Sequence, residues 1–219
     1  RAVEHYSVTD RRVTVDCVLD SPSEETDGDE RTVPVTVEFL RPDSFRFRFE
    51  GNPEGQTAEG SDGSDDAGFA RSVDLAVSES AGVLVLETAA LRIEIGLGEW
   101  SFDVFGSDGD PLLSEQRATI GPTGVDEITP LGFRETEHDS GAVAVTECGT
   151  SFSLRHDDHV YGLGEKFTSL DKRGQSITSW TVKARGTETE RSYKNVPFYL
   201  STRGYGLLVE TTNRVEFDG

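Results

Sequence analysis

Apolar and polar residues alternate along residues 12–19, with Val13, Val15, Cys17 and Leu19 set against Thr14 and Asp16. A two-residue period puts one set of side chains on one face of an extended strand. The pattern returns at residues 32–40 through Val33, Val35, Val37 and Phe39. Pro42-Asp43 then turns the chain, and Phe45, Phe47 and Phe49 line one face of the next strand, with Arg46 and Arg48 on the other. Two such runs joined by a short turn predict a hairpin whose three phenylalanines are core. Further strands are predicted at residues 72–77, 82–88, 91–95 and 100–105, then at Pro111-Leu112-Leu113, as a β-meander with a turn at Gly106-Ser107-Asp108-Gly109. Residues 122–130 read as a loop, and residues 131–137 and 141–148 as another hairpin. No stretch carries the period of an amphipathic helix. Roughly a dozen short strands with turn signals every 8–12 residues predict an all-β sandwich.

Two polar stretches interrupt the strands. Residues 21–30 are acidic and nearly free of apolar side chains, so they read as an exposed loop. Residues 51–68 read as a flexible acidic insertion. Its Asp/Gly/Ser run lacks the ordered ligand positions and closing Glu of a calcium loop, and it is too polar to drive burial. We expect residues 1–219 to form a single domain around these excursions.

Composition sharpens the picture. The 219 residues carry 41 acidic and 21 basic side chains, for a net charge of −20, and the basic set is 17 Arg against 4 Lys. Acids spread along the whole chain, with little Lys and 34% hydrophobic content, lead us to expect a salt-adapted protein of haloarchaeal origin. Phosphate binding needs a cationic face, so nucleic acid is excluded as a partner. No membrane-length apolar run occurs, and the expected location is cytoplasmic. Cys17 and Cys148 are far apart and fit no zinc spacing, so each reads as a small buried hydrophobe, with a disulfide left open. No nucleotide-binding fingerprint is present, and we expect no cofactor. The chain starts at Arg1 and has no Met, so we expect a piece of something longer.

Residues 160–217 are the most specific stretch. Tyr161-Gly162-Leu163-Gly164-Glu165 reads as a strand entering a tight glycine turn, with Glu165 placed to accept backbone N–H bonds. Arg173-Gly174-Gln175 leads to Trp180. A twelve-residue polar loop follows, ending at Tyr193-Lys194-Asn195-Val196-Pro197-Phe198-Tyr199-Leu200 and Arg203-Gly204-Tyr205-Gly206. A loop that long, held between aromatics, is more often functional than a plain connector. This ordered set resembles the end of the N-terminal domain in glycoside hydrolase family 31, which holds α-glucosidases and α-xylosidases. The Lys194–Leu200 run is most similar to the α-xylosidase branch.

The resemblance implies a galactose-mutarotase-like β-sandwich packed beside a (β/α)8 barrel that follows in the chain. It implies a retaining α-glycosidase acting on terminal α-linked glucose or xylose. Retaining hydrolysis needs two carboxyls about 5–5.5 Å apart, which that family takes from its barrel. We therefore expect no catalytic residue in this chain. Asp65-Asp66 and Asp157-Asp158 are sequence neighbours, which point to opposite faces of a strand and read as solvated or turn residues. His156-Asp157-Asp158-His159 leaves two alternatives open, a metal site and a mutarotase-like pair of His159 with Glu165; we expect neither.

The loop at 181–192 is the best functional candidate. In the resembling family it reaches over the barrel mouth, with a usual pattern of Trp-Asn-Glu-Asp. Here the residues are Trp180-Thr181-Val182-Lys183, so the acidic end is replaced by Lys. Trp180, Lys183 and Arg185 are the expected substrate-binding residues. Two questions stay open at this point. Trp180 is either a sugar-stacking face or core at the loop base, with core favoured. Lys183 and Arg185 either donate to the sugar or pair with Glu188 and Glu190. Phe198 and Leu200 should share one strand face, with Tyr199 and Ser201 on the other. An apolar patch near Tyr199 and Tyr205 is expected to face the barrel. Homo-oligomerisation is left open. Alternative functions are a free-standing carbohydrate-binding sandwich and an aldose mutarotase.

Overall fold

A computed structural model describes residues 2–19, 31–49, 73–115, 118–120, 126–128, 131–137, 143–181 and 192–219. The acidic stretches 21–30 and 51–68 lie outside the described residues. The described residues form strands and turns without a helix. They fall into two compact units, Arg1–Ser153 and Leu154–Gly219.

The first unit holds two antiparallel meanders. One runs β1 (Ala2–Thr9), β2 (Arg12–Leu19), β3 (Arg31–Arg41) and β4 (Ser44–Phe49). The other runs β5 (Ala76–Ser80), β6 (Val83–Glu87), β7 (Leu91–Gly96), β8 (Phe102–Gly106) and β9 (Pro111–Ser114). The predicted alternation is realised: Val13, Val15, Val33, Val35, Val37 and Phe39 are fully buried, as are Leu84, Leu86, Ile93 and Ile95. Phe45 and Phe47 bring the two sheets face to face, with ring centroids 6.0 and 4.9 Å from Phe102. Each fully buried apolar side chain of this core stabilises the fold by about 1.5–3 kcal/mol, but Phe45, Phe47 and Phe49, expected as core, are only half-buried. Arg46, on the opposite side of β4, joins an ionic cluster. Glu38, nearly buried on β3, draws Arg11 to 3.2 Å, Arg12 to 3.3 Å and Arg46 to 3.9 Å.

Several boundaries differ from the sequence reading. β1 was not anticipated, because its residues lack a clean alternation. It is held by the hairpin at Asp10-Arg11, where Asp10 takes φ 32°. The strand expected at 72–77 forms at Ala76–Ser80, registered by the Ala81-Gly82 turn with φ 51° and 77°. The loop expected at 122–130 contains β11 (Asp126–Ile128), paired with β10 (Ala118–Ile120). The hairpin of β12 (Leu131–Glu137) with β13 (Val143–Thr150) forms where expected. Cys17 is buried, but Cys148 is exposed on β13, against expectation; no disulfide joins them.

The second unit contains a three-stranded sheet of β14 (Val160–Gly162), β16 (Phe198–Ser201) and β17 (Gly206–Leu208). Beside it β15 (Ser176–Ser179) pairs with β18 (Val215–Asp218). All four lysines of the chain fall between residues 166 and 194, within this unit.

Candidate functional site

The glycine turn fixes the local geometry of the second unit. Gly162, Leu163 and Gly164 have φ of 129°, 65° and 84° in succession, a run that places Leu163 in the core at 2% exposure. A Cβ on Gly164 would lie 2.2 Å from the Lys194 carbonyl oxygen, so the turn presses flush against residues 194–196. Glu165 N donates to Lys194 O at 2.9 Å. The Glu165 carboxylate is engaged differently from expectation: it is exposed and takes Lys194 Nζ at 3.0 Å.

Polar nodes surround this turn. Of the two expectations for Asp158, solvated or turn residue, the turn is the one realised: Asp158 N donates to Arg155 O at 3.1 Å, while its side chain is 4% exposed and faces Arg203 Nη2 at 2.6 Å. Arg155 N also donates to it at 2.6 Å, and Arg173 Nη1 donates to its carbonyl at 2.8 Å. The Arg203 hydrogen bond holds the Asp158 carboxyl below the usual carboxylate range, against the opposing effect of burial. Its neighbour Asp157 stays exposed beside His156. His159 Nδ1 lies 2.6 Å from Asp171 Oδ2, and this bond depresses the Asp171 carboxyl. The structure therefore couples His159 to Asp171 and Glu165 to Lys194, and does not make the mutarotase-like pair of His159 with Glu165. Lys172 is buried and donates to Thr168 Oγ1 at 3.0 Å and Ser169 O at 2.6 Å, its ammonium pKa lowered by burial.

Trp180 lies just past β15 and is 48% exposed, so it is not core. It lines a shallow hollow of about 200 Å³ with Ser179, Thr181, Asn195, Thr211 and Asn213 among its neighbours. Among the described residues, every lining side chain is uncharged. Hydroxyls and amides beside an indole face suit a neutral sugar unit, with an apolar ring face to stack and donors and acceptors for hydroxyls. Thr211, Thr212 and Asn213 were missed by the sequence reading, since they belong to no motif and reach the hollow only through the β15–β18 pairing. Lys183 and Arg185 lie outside the described residues.

The apolar face also differs from expectation. Leu200 sits opposite Tyr161 and Gly206, and Phe198 opposite Leu208. Alternation puts these residues on one side of the sheet and Tyr199 on the other, as predicted. Tyr199 is covered by Tyr205 and Phe217, at ring distances of 6.1 and 6.3 Å, and burial pushes its phenol pKa up. The open face is instead that of Tyr161, Leu200 and Leu208, the two leucines each 53% exposed.

The described residues thus form an all-β scaffold with an uncharged hollow and an exposed apolar sheet face. The chain belongs to the glycosyl hydrolase 31 N-terminal galactose mutarotase-like domain family, matched over residues 34–218. It is 46% identical over 66 residues to the α-xylosidase XylQ of Lactiplantibacillus pentosus, covering 30% of this chain and 8% of that protein. An α-xylosidase of Emericella nidulans is 43% identical over 61 residues, covering 28% of this chain and again 8% of that protein. Among solved structures, the cycloalternan-forming enzyme of Listeria monocytogenes superposes over 99% of this chain and 18% of that one, with TM-score 0.72 at 18% identity. The chain thus spans a small part of the length of these relatives.

Proposed function

We propose that this chain is the non-catalytic N-terminal domain of a retaining α-glycosidase acting on terminal α-linked xylose or glucose. The open face of Tyr161, Leu200 and Leu208 docks on a (β/α)8 barrel that supplies both carboxyls. The loop at 181–192, with Trp180 at its base, borders the substrate pocket, and Lys183 and Arg185 reach the sugar from it. One observation carries this reading: among the described residues, the hollow beside Trp180 is lined by sugar-compatible groups and by no carboxylate. Local identity to two α-xylosidases favours xylose over glucose. The test is hydrolysis of nitrophenyl α-xyloside and α-glucoside by residues 1–219 alone and by the full-length protein. Turnover is expected only from the full-length protein, and turnover by the 219 residues alone overturns the reading.

A second reading, a free-standing carbohydrate-binding module, draws on the exposed Trp180. It requires measurable sugar affinity by calorimetry without a barrel.

We also propose that the protein works in the cytoplasm of a salt-loving organism. With a net charge of −20, self-repulsion is screened as salt rises. Thermal melts should show a higher Tm in molar KCl than in dilute buffer; the reverse order overturns the salt reading.

A further inference from the structure

The hollow beside Trp180 has a built back wall. Lys166 Nζ donates to the Thr178 carbonyl at 2.8 Å and to Asn195 Oδ1. Thr178 belongs to β15, two residues before Trp180, while Asn195 lines the hollow from another segment. Asn195 in turn donates through Nδ2 to Ser192 O at 2.8 Å and accepts from Ser192 Oγ at 3.4 Å. Ser192 is buried at 2% exposure and bridges Thr181 in parallel register. One ammonium group therefore ties the strand leading to Trp180 to the segment carrying Asn195. The root of the Lys166 side chain is fixed as well, because the adjoining Gly164-Glu165 turn is pressed against Lys194 and Asn195.

Resting on the reading that a sugar unit contacts Trp180, we propose that Lys166 is a positioning residue for that unit. It sets the spacing between the Trp180 and Asn195 walls, and through that spacing the affinity for the sugar beyond the cleaved bond. Lysine suits the role because its three donors on one compact charge serve a carbonyl and an amide oxygen together. The bonds are partly buried, where water competes weakly for them.

The experiment uses the full-length protein with Trp180→Ala, Lys166→Met and Lys166→Arg. KM and kcat are measured on an α-linked disaccharide and on a small nitrophenyl α-glycoside. Lys166→Met should raise the disaccharide KM about tenfold while kcat changes by less than about twofold, the signature of lost binding that the transition state shares with the ground state. The nitrophenyl substrate should be affected less, and Lys166→Arg should recover part of the loss. If Trp180→Ala leaves the disaccharide KM unchanged, the sugar reading of the hollow fails and takes this inference with it. If Trp180→Ala raises KM but Lys166→Met does not, the sugar reading stands and the role of Lys166 is overturned. A fall in kcat without a KM change marks a general structural role and also overturns it. Should Lys166→Met not fold, Lys166→Gln, which keeps a donor, is read by the same criteria.

Discussion

Replacing Asp158 by Ala should destabilise the protein by about 3–5 kcal/mol, read as a lower urea midpoint at constant slope. The substitution leaves the Arg203 guanidinium, whose side chain is only 10% exposed, without the carboxylate it faces at 2.6 Å. It also removes the acceptor for Arg155 N. Breaking one half of a buried pair costs more than the pair contributes net, because the remaining charge stays desolvated. Replacing both Asp158 and Arg203 by apolar residues of similar size should therefore cost less than the Asp158 change alone. The pH dependence follows from the same bond. The folded carboxyl titrates below its unfolded value of about 3.9, so its contribution is complete above that pH and fades as pH falls through the lower folded value. Wild type should lose stability in that acid window, and the Asp158→Ala variant should show a flatter profile there. Equal acid sensitivity in both proteins would contradict this account.

What could be foreseen from the sequence divides along physical lines. Strands with a regular apolar alternation, β2, β3 and β7 among them, were legible because burial on one face imposes a period of two. β1 and β11 were not, since their pairing is decided by hairpin partners and not by their own pattern. The glycine turn was legible from Gly162 and Gly164, which occupy backbone conformations that side chains resist. Partners across the turn were not. Asp158 finds Arg203 at a separation of 45 residues, and His159 finds Asp171 rather than Glu165. Trp180 stands out in the sequence as the aromatic at the start of the long loop, but its exposure, where core was favoured, and its Thr211–Asn213 neighbours depend on how β15 meets β18. Few lysines are present, and each of the three described ones is bonded: Lys166 to Thr178 O and Asn195, Lys172 to Thr168 and Ser169, Lys194 to Glu165. In an Arg-rich chain, a lysine is thus itself a clue to a specific local task.

The glycine turn makes the second large prediction. Gly164→Ala should cost roughly 4 kcal/mol, the sum of two separable effects. An alanine at φ 84° pays for a left-handed backbone, about 1–2 kcal/mol. Its Cβ would also meet Lys194 O at 2.2 Å and Val196 N at 2.8 Å, both backbone atoms that no rotamer change can move. Gly174→Ala supplies the control: its φ of 70° is similar, yet no atom lies within 4 Å of the added Cβ. That variant should show the backbone cost alone, about 1–2 kcal/mol. The difference between the two in urea denaturation measures how tightly the turn is pressed on residues 194–196. If Gly164→Ala is no worse than Gly174→Ala, the close approach is illusory and the turn cannot anchor the neighbouring Lys166. If the gap is as large as expected, pushing residues 194–196 away must also shift Asn195, one wall of the hollow beside Trp180. The same glycine that permits the fold would then govern the shape of the site.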